Sequence, residues 1–202
     1  MKPDPRFVYV FAHGAGAGMN HPFMVRAADA LAERGIVTHR FNFPYMEAKK
    51  SRPDPPAVAE EAVRKAVAEA TRERPGVPIL AGGKSFGGRM TSQAQASQPM
   101  PGVRGLVFFG FPLHPPGRPA TTRAEHLTAV DVPMLFLQGT RDEFAQLDLL
   151  RQVIRGLGER ATLHLVQDGD HSFKVPKKKT GKTEADVMNE LADTIQQWAN
   201  HV

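Results

Sequence analysis

The chain has 202 residues and a mass of 22.1 kDa, the size of one ordinary domain and enough to bury a core without staples. It is 41% hydrophobic, 23% charged and 7% aromatic, which excludes disordered and fibrous classes. The lack of cysteine excludes a disulfide framework, a thiolate nucleophile and any Cys-ligated metal site, while a formal charge of +5 permits an anionic partner without requiring one.

In chain order, short apolar runs alternate with helix-patterned segments. Residues 6–12 read as a strand and run into His13-Gly14-Ala15-Gly16. A helix is expected over 23–34, with Phe23, Ala27, Ala28 and Leu31 on one face, Pro22 in its first turn and Gly35 closing it. Residues 36–42 give a second strand. After a Pro-rich lead, a helix over 57–73 puts Val58, Ala62, Val63, Ala66, Val67 and Ala70 at helical spacing. A third strand over 77–81 enters Gly82-Gly83-Lys84-Ser85-Phe86-Gly87-Gly88 and then a helix over 89–98.

Strands at 105–109 and 133–138 follow, then a helix over 144–157 and a last strand over 161–166. The lysine-rich stretch 174–182 reads as a solvated loop; it lacks the interleaved aromatics of a nucleic-acid surface, so no nucleic-acid partner is expected. The final helix, 184–198, opens with a Thr183–Asp186 pair resembling a capping box. Its stripe of Val187, Leu191, Ile195 and Trp198 reads as core. No apolar run approaches the ~18 residues of a membrane span, and residues 1–6 with their six apolar successors do not read as a signal peptide, so the expected location is the cytosol.

Alternating strands and helices, several of the strands apolar throughout, predict an α/β fold with a doubly wound, mostly parallel sheet. Such sheets bind ligands beyond the carboxyl ends of their strands. Chemistry is therefore expected just after each strand.

Gly83-Lys84-Ser85-Phe86-Gly87 is a G-x-S-x-G nucleophile elbow in the required strand–turn–helix setting. With this chain's glycine and serine content, chance gives about 0.04 occurrences per chain, so a merely decorative serine is the weaker reading. A P-loop would need glycine where Pro78 stands, and a dinucleotide fingerprint would need glycine at Met19 or His21; both fail.

A serine hydroxyl needs a base, and the base an orienting carboxylate. Asp142 lies three residues beyond the strand ending near Gly139, and His171 lies in the last strand-to-helix loop. The order Ser85, Asp142, His171 is that of an α/β-hydrolase triad. Glu143 is a rival acid; Asp168 and Asp170 read as turn formers, and His164 as a packed strand residue. His13-Gly14-Ala15-Gly16 is an HG-x-G loop, so the oxyanion donors are expected to be the N–H groups of Ala15 and Phe86, with a structural role for His13. No H-E-x-x-H motif or ligand-spaced histidine pair occurs, and neither metal nor cofactor is expected.

On these motifs, together with Phe43-Pro44-Tyr45, Phe111-Pro112-Leu113-His114-Pro115-Pro116 and Gly169-Asp170-His171-Ser172-Phe173, the chain resembles the α/β-hydrolase superfamily along nearly its whole length. It is most similar to the small lidless family that includes dienelactone-hydrolase relatives and testis-expressed-protein-like sequences. The resemblance implies one domain over 1–202 without a cap, a reduced sheet of six strands ordered 2-1-3-4-5-6, and a carboxylesterase-like Ser–His–Asp site acting on a small-molecule ester or thioester. Dienelactone hydrolases use a cysteine nucleophile, which this chain lacks, so their substrate does not transfer. The stiff connection through Pro112, Pro115, Pro116 and Pro119 is too short for a helical lid. An open pocket shaped by Phe43, Tyr45, Phe111, Leu113 and Phe173 is expected. Lys84 and Arg89 flank the elbow and could draw anionic substrates. The competing reading is a non-catalytic interaction module on the same fold, docking through residues 174–182.

Overall fold

A computed structural model describes residues 5–202. Six parallel strands, β1 (Phe7–Ala12), β2 (Ile36–Phe41), β3 (Ile79–Lys84), β4 (Val103–Phe109), β5 (Met134–Gly139) and β6 (Ala161–Val166), form one sheet in the order β2-β1-β3-β4-β5-β6. The helices are α1 (Pro22–Ala32), α2 (Pro44–Glu47), α3 (Pro56–Glu73), α4 (Phe86–Ser97), α5 (Leu147–Leu157), α6 (Lys177–Thr180) and α7 (Glu184–Ala199).

Strand periodicity divides the core into two layers. Val10, Ala81, Phe108 and Phe136 face one way, onto α3, α4 and α5; Phe11, Leu80, Val107 and Leu135 face the other, onto α1 and α7. Both faces are covered, which is why these strands carry no polar alternation. Helix α1 starts at Pro22, where the His21 ring accepts from the Phe23 N–H (3.2 Å). Helix α7 opens with the full Thr183–Asp186 capping box.

Several boundaries differ from the sequence reading. Strand β3 runs on through Gly82 and Gly83 to Lys84, although glycine usually weakens a strand. The reason is close approach: a Cβ on Gly82 would collide with the Val107 carbonyl, and one on Gly83 with that of Ala12. Helix α5 begins at Leu147 because residues 144–146 turn around Asp142 instead. The short α2, a 3-10 helix at Thr122–Ala129 and α6 were not foreseen. Helix α6 lies inside the lysine-rich stretch, whose Lys179 pairs with Asp168 (2.7 Å) and whose Lys182 pairs with Glu190. No described helix is long and apolar enough to cross a membrane.

Candidate active site

The turn from β3 into α4 holds Ser85 at φ 50°, ψ −113°, a left-handed backbone unusual for a residue with a side chain. The glycines two residues either side make room for it. A Cβ on Gly87 would stand 2.5 Å from the Ala12 carbonyl oxygen and 2.6 Å from that of His13; one on Gly83 would strike Ala12 as well. The elbow is thus wedged against the end of β1.

His171 comes from the loop after β6 and Asp142 from the loop after β5. The imidazole bridges two partners: Nε2 lies 2.9 Å from Ser85 Oγ and Nδ1 lies 2.7 Å from Asp142 Oδ2. The Asp142 side chain is fully buried, and both of its oxygens accept hydrogen bonds. Oδ2 also accepts from Gln138 Nε2 (2.5 Å), and Oδ1 accepts from the Phe144 N–H (2.8 Å). Gln138 is fixed in turn, its Oε1 accepting from the Phe111 N–H (2.9 Å). The Phe144 ring packs on the imidazole at 4.4 Å between centroids. With Nδ1–H donating to the carboxylate, Nε2 is the nitrogen free to accept a proton from Ser85.

Strand β4, lying between β3 and β5, contributes a gap. Gly110 has φ +69°, and a Cβ there would meet Lys84 Nζ at 3.1 Å, His171 Nδ1 at 3.3 Å and Asp142 Oδ2 at 3.4 Å. The Lys84 ammonium donates to the His171 carbonyl (2.6 Å). Burial lowers the Lys84 pKa to about 8, with Asp142 and Asp170 opposing that shift.

The loop after β1 is pinned by His13. Its buried ring donates from Nδ1 to the Gly14 carbonyl (2.9 Å) and accepts at Nε2 from the Phe43 N–H (3.1 Å); burial lowers its pKa, against the Gly14 bond. Ala15 and Ser85 border the same cleft, and Phe86 is the first residue of α4. Neither the Ala15 N–H nor the Phe86 N–H meets an acceptor among the described residues.

The cleft beside Ser85 has a volume of about 620 Å³ and runs between α1 and α7. Phe23, Met24, Phe173, Val187 and Met188 form its apolar wall, and an Arg26–Glu184 ion pair (3.3 Å) spans the two helices. Of the expected pocket residues, only Phe173 lines it. Phe43, Tyr45, Phe111 and Leu113 are buried in the core on the opposite, α3–α4–α5 side, which corrects the sequence expectation. Phe43 packs on Tyr45, Phe41 and Phe86, and Phe111 on Phe108 and Phe136, so these side chains fill the core and are closed to a ligand.

The rival groups lie elsewhere. Glu143 is exposed, Asp168 pairs with Lys179, Asp170 caps its own loop, and His164 Nε2 bonds to Glu190 (2.9 Å). Arg89 stands near Arg123 and outside the cleft wall; burial, then that neighbour, lowers its pKa. Gln138, Gly110 and Phe144 were not read from the sequence. Gln138 had a signal, as the one polar side chain in the strand Met134–Gly139. No cluster of three or more metal-ligating side chains occurs among the described residues.

A parallel sheet of this order, with a serine on the strand–helix turn at its carboxyl edge, defines an α/β-hydrolase fold. The chain belongs to the alpha/beta hydrolase family, whose domain model matches residues 5–200. Among solved structures it is similar to an α/β serine hydrolase without a lid from Xanthomonas campestris, with a TM-score of 0.75 and 22% identity over 97% of this chain and 84% of that one. It is also similar to a dienelactone hydrolase from Anabaena variabilis (TM-score 0.74, 18% identity, 98% and 87% covered). A monoacylglycerol lipase from Paleococcus ferrophilus gives a TM-score of 0.72 at 14% identity, with 98% and 96% covered. At these identities the likeness is one of fold.

Proposed function

We propose that this hydrolase cleaves carboxylic esters or thioesters through an acyl-enzyme, with Ser85 as nucleophile, His171 as base and Asp142 as its orienting carboxylate. Ser85 Oγ attacks the substrate carbonyl while His171 Nε2 takes its proton. The oxyanion is received by the N–H groups of Ala15 and Phe86, the second lying at the positive end of α4. His171 returns the proton to the departing alcohol or thiol, and water then releases the acid by the reverse sequence. The observation that carries this reading is the single imidazole spanning Ser85 and Asp142 at 2.9 and 2.7 Å. The lipase and dienelactone hydrolase among its structural neighbours support the ester class.

The test is covalent labelling with a fluorophosphonate. Wild type is expected to label at Ser85, and Ser85→Ala to lose both labelling and p-nitrophenyl butyrate hydrolysis, the latter by about 10⁴-fold or more. Unchanged turnover in folded Ser85→Ala overturns the reading.

A further inference from the structure

The loop that carries His171 is tied mainly to itself. Asp170 Oδ1 accepts from the N–H groups of Ser172 (2.8 Å) and Lys174 (2.9 Å). The Asp170 N–H donates to the Lys174 carbonyl (3.1 Å), and the Phe173 N–H donates to the Asp170 carbonyl (2.9 Å). These bonds set the loop's shape, while the Arg141 N–H donating to the Gly169 carbonyl (2.8 Å) and Phe173 buried against Phe23 and Phe109 anchor its two ends. Among the described residues, one hydrogen bond joins the backbone of residues 170–174 to the sheet, and it comes from a side chain: Lys84 Nζ to the His171 carbonyl.

That ammonium is buried at a desolvation cost, which Asp142 and Asp170 and its place over the rings of Phe23 and Phe173, 5.9 and 5.8 Å from their centroids, offset in part. An apolar side chain of equal length would occupy the site without desolvating a charge. What the ammonium adds is a charge-assisted donor, stronger than a neutral one, aimed at the backbone of the base itself. The same ammonium shares the space over Gly110 with His171 Nδ1 and Asp142 Oδ2, so it holds the residue at the point where the imidazole turns toward its carboxylate.

We propose that Lys84 is a positioning residue: its ammonium clamps the His171 carbonyl to the end of β3 and so fixes the imidazole between Asp142 and Ser85. The proposal rests on the acyl-enzyme reading for the reaction it serves, but the clamp acts on the ring and is observable without turnover.

The cysteine-free sequence supplies a sharp test. Lys84→Cys introduces a unique thiol, which is alkylated in urea before refolding. Bromoethylamine installs an S-aminoethyl group, with a carbon–sulfur bond replacing carbon–bromine and bromide departing; this restores an ammonium at nearly the lysine length. Iodopropane installs the uncharged S-propyl isostere in the same way. Lys84→Met, expressed directly, serves as a neutral variant that needs no refolding. Two quantities are read: kcat and KM for p-nitrophenyl butyrate, and the low-field proton resonance of the Nδ1–H shared by His171 and Asp142.

Lys84→Met and the S-propyl form are expected to lose about 100-fold in kcat with KM within about threefold, and to broaden the resonance. The S-aminoethyl form is expected to recover kcat to within about tenfold of wild type and to sharpen the resonance again. Equal recovery by the S-propyl form, or a sharp resonance and undiminished kcat in Lys84→Met, overturns the proposal, because the side chain would then act by filling space. If the resonance follows the ammonium while wild-type Ser85 turns over no ester and takes no fluorophosphonate, the acyl-enzyme reading fails and the clamp stands.

Discussion

Asp142→Asn exchanges one oxygen for an NH₂ group and keeps the shape, yet the surrounding bonds cannot accommodate it. If the remaining oxygen takes the Oδ1 position, it still accepts from the Phe144 N–H, but the NH₂ then faces Gln138 Nε2 and His171 Nδ1, both donors in the native arrangement. If the amide flips, its NH₂ opposes the Phe144 N–H. In the first orientation His171 relieves the conflict only by moving its proton to Nε2, which points it at Ser85 and removes the base. The expected loss in kcat/KM is about 10⁴-fold, or about 5 kcal/mol of transition-state stabilisation. The buried donor–donor contact with Gln138 costs a further ~1–3 kcal/mol of folding stability. Adding Gln138→Glu should return most of that stability, since the new carboxylate accepts from the amide and still accepts from the Phe111 N–H, but should not return activity. Steady-state kinetics with p-nitrophenyl butyrate and urea unfolding of the single and double variants measure both effects. A folded Asp142→Asn enzyme within tenfold of wild type refutes the assignment of Asp142. Activity recovered along with stability in the double variant refutes the tautomer argument.

Gly110→Ala is expected to reduce kcat about tenfold or more, because the methyl group enters the space shared by Lys84, His171 and Asp142 on a backbone at φ +69°; fluorophosphonate labelling rates compare it with wild type, and an unchanged rate argues against that convergence. His126, whose Nε2 lies 2.8 Å from Ser92 Oγ, has its pKa lowered from 6.5 to about 4 by burial and then by Arg89. The unfolded chain takes a proton on this ring below 6.5 while the folded one does not until about 4, so stability is lost as pH falls through that window, by at most about 3 kcal/mol. Urea unfolding at several pH values should show a shallower acid loss in His126→Gln. Lys84 gives a slope at the opposite end of the scale. Its folded pKa of about 8 lies below the ordinary 10.5, so across that interval the unfolded chain holds a proton that the folded one has shed, and stability rises with pH by at most about 3 kcal/mol. Wild type is expected to gain on Lys84→Met between pH 8 and pH 10; parallel curves contradict the burial of the ammonium.

The framework was legible because the central strands β1, β3, β4 and β5 are apolar on both faces and the long helices carry a cap or an apolar stripe. The motif residues were legible for a related reason: the elbow glycines are dictated by backbone collisions with Ala12 and His13, and such constraints leave a fixed spacing in the sequence. The cleft was not legible. Phe43, Tyr45, Phe111 and Leu113 adjoin the motif loops along the chain, but adjacency does not say which face of the sheet a side chain takes, and all four turned into the core beside α3 and α4. The true wall comes from α1 and α7, helices more than 150 residues apart that meet only in the folded molecule. Phe23 and Val187 follow ordinary core periodicity, so their second role leaves no mark. Lys84 is the intermediate case: its place before Ser85 was visible, but the His171 carbonyl it reaches lies 87 residues away.

Ser85, Asp142 and His171 follow three different strands, and β4, which intervenes between the first and second, gives the Phe109 carbonyl that accepts the Ser85 N–H and, just beyond its end, the empty space at Gly110. The Ser85–His171 contact spans 86 residues and closes only when β6 has docked on β5. Probe reactivity at the serine would then serve as a clock for assembly. During refolding it would lag behind helix formation and mark the moment the last edge of the sheet comes home.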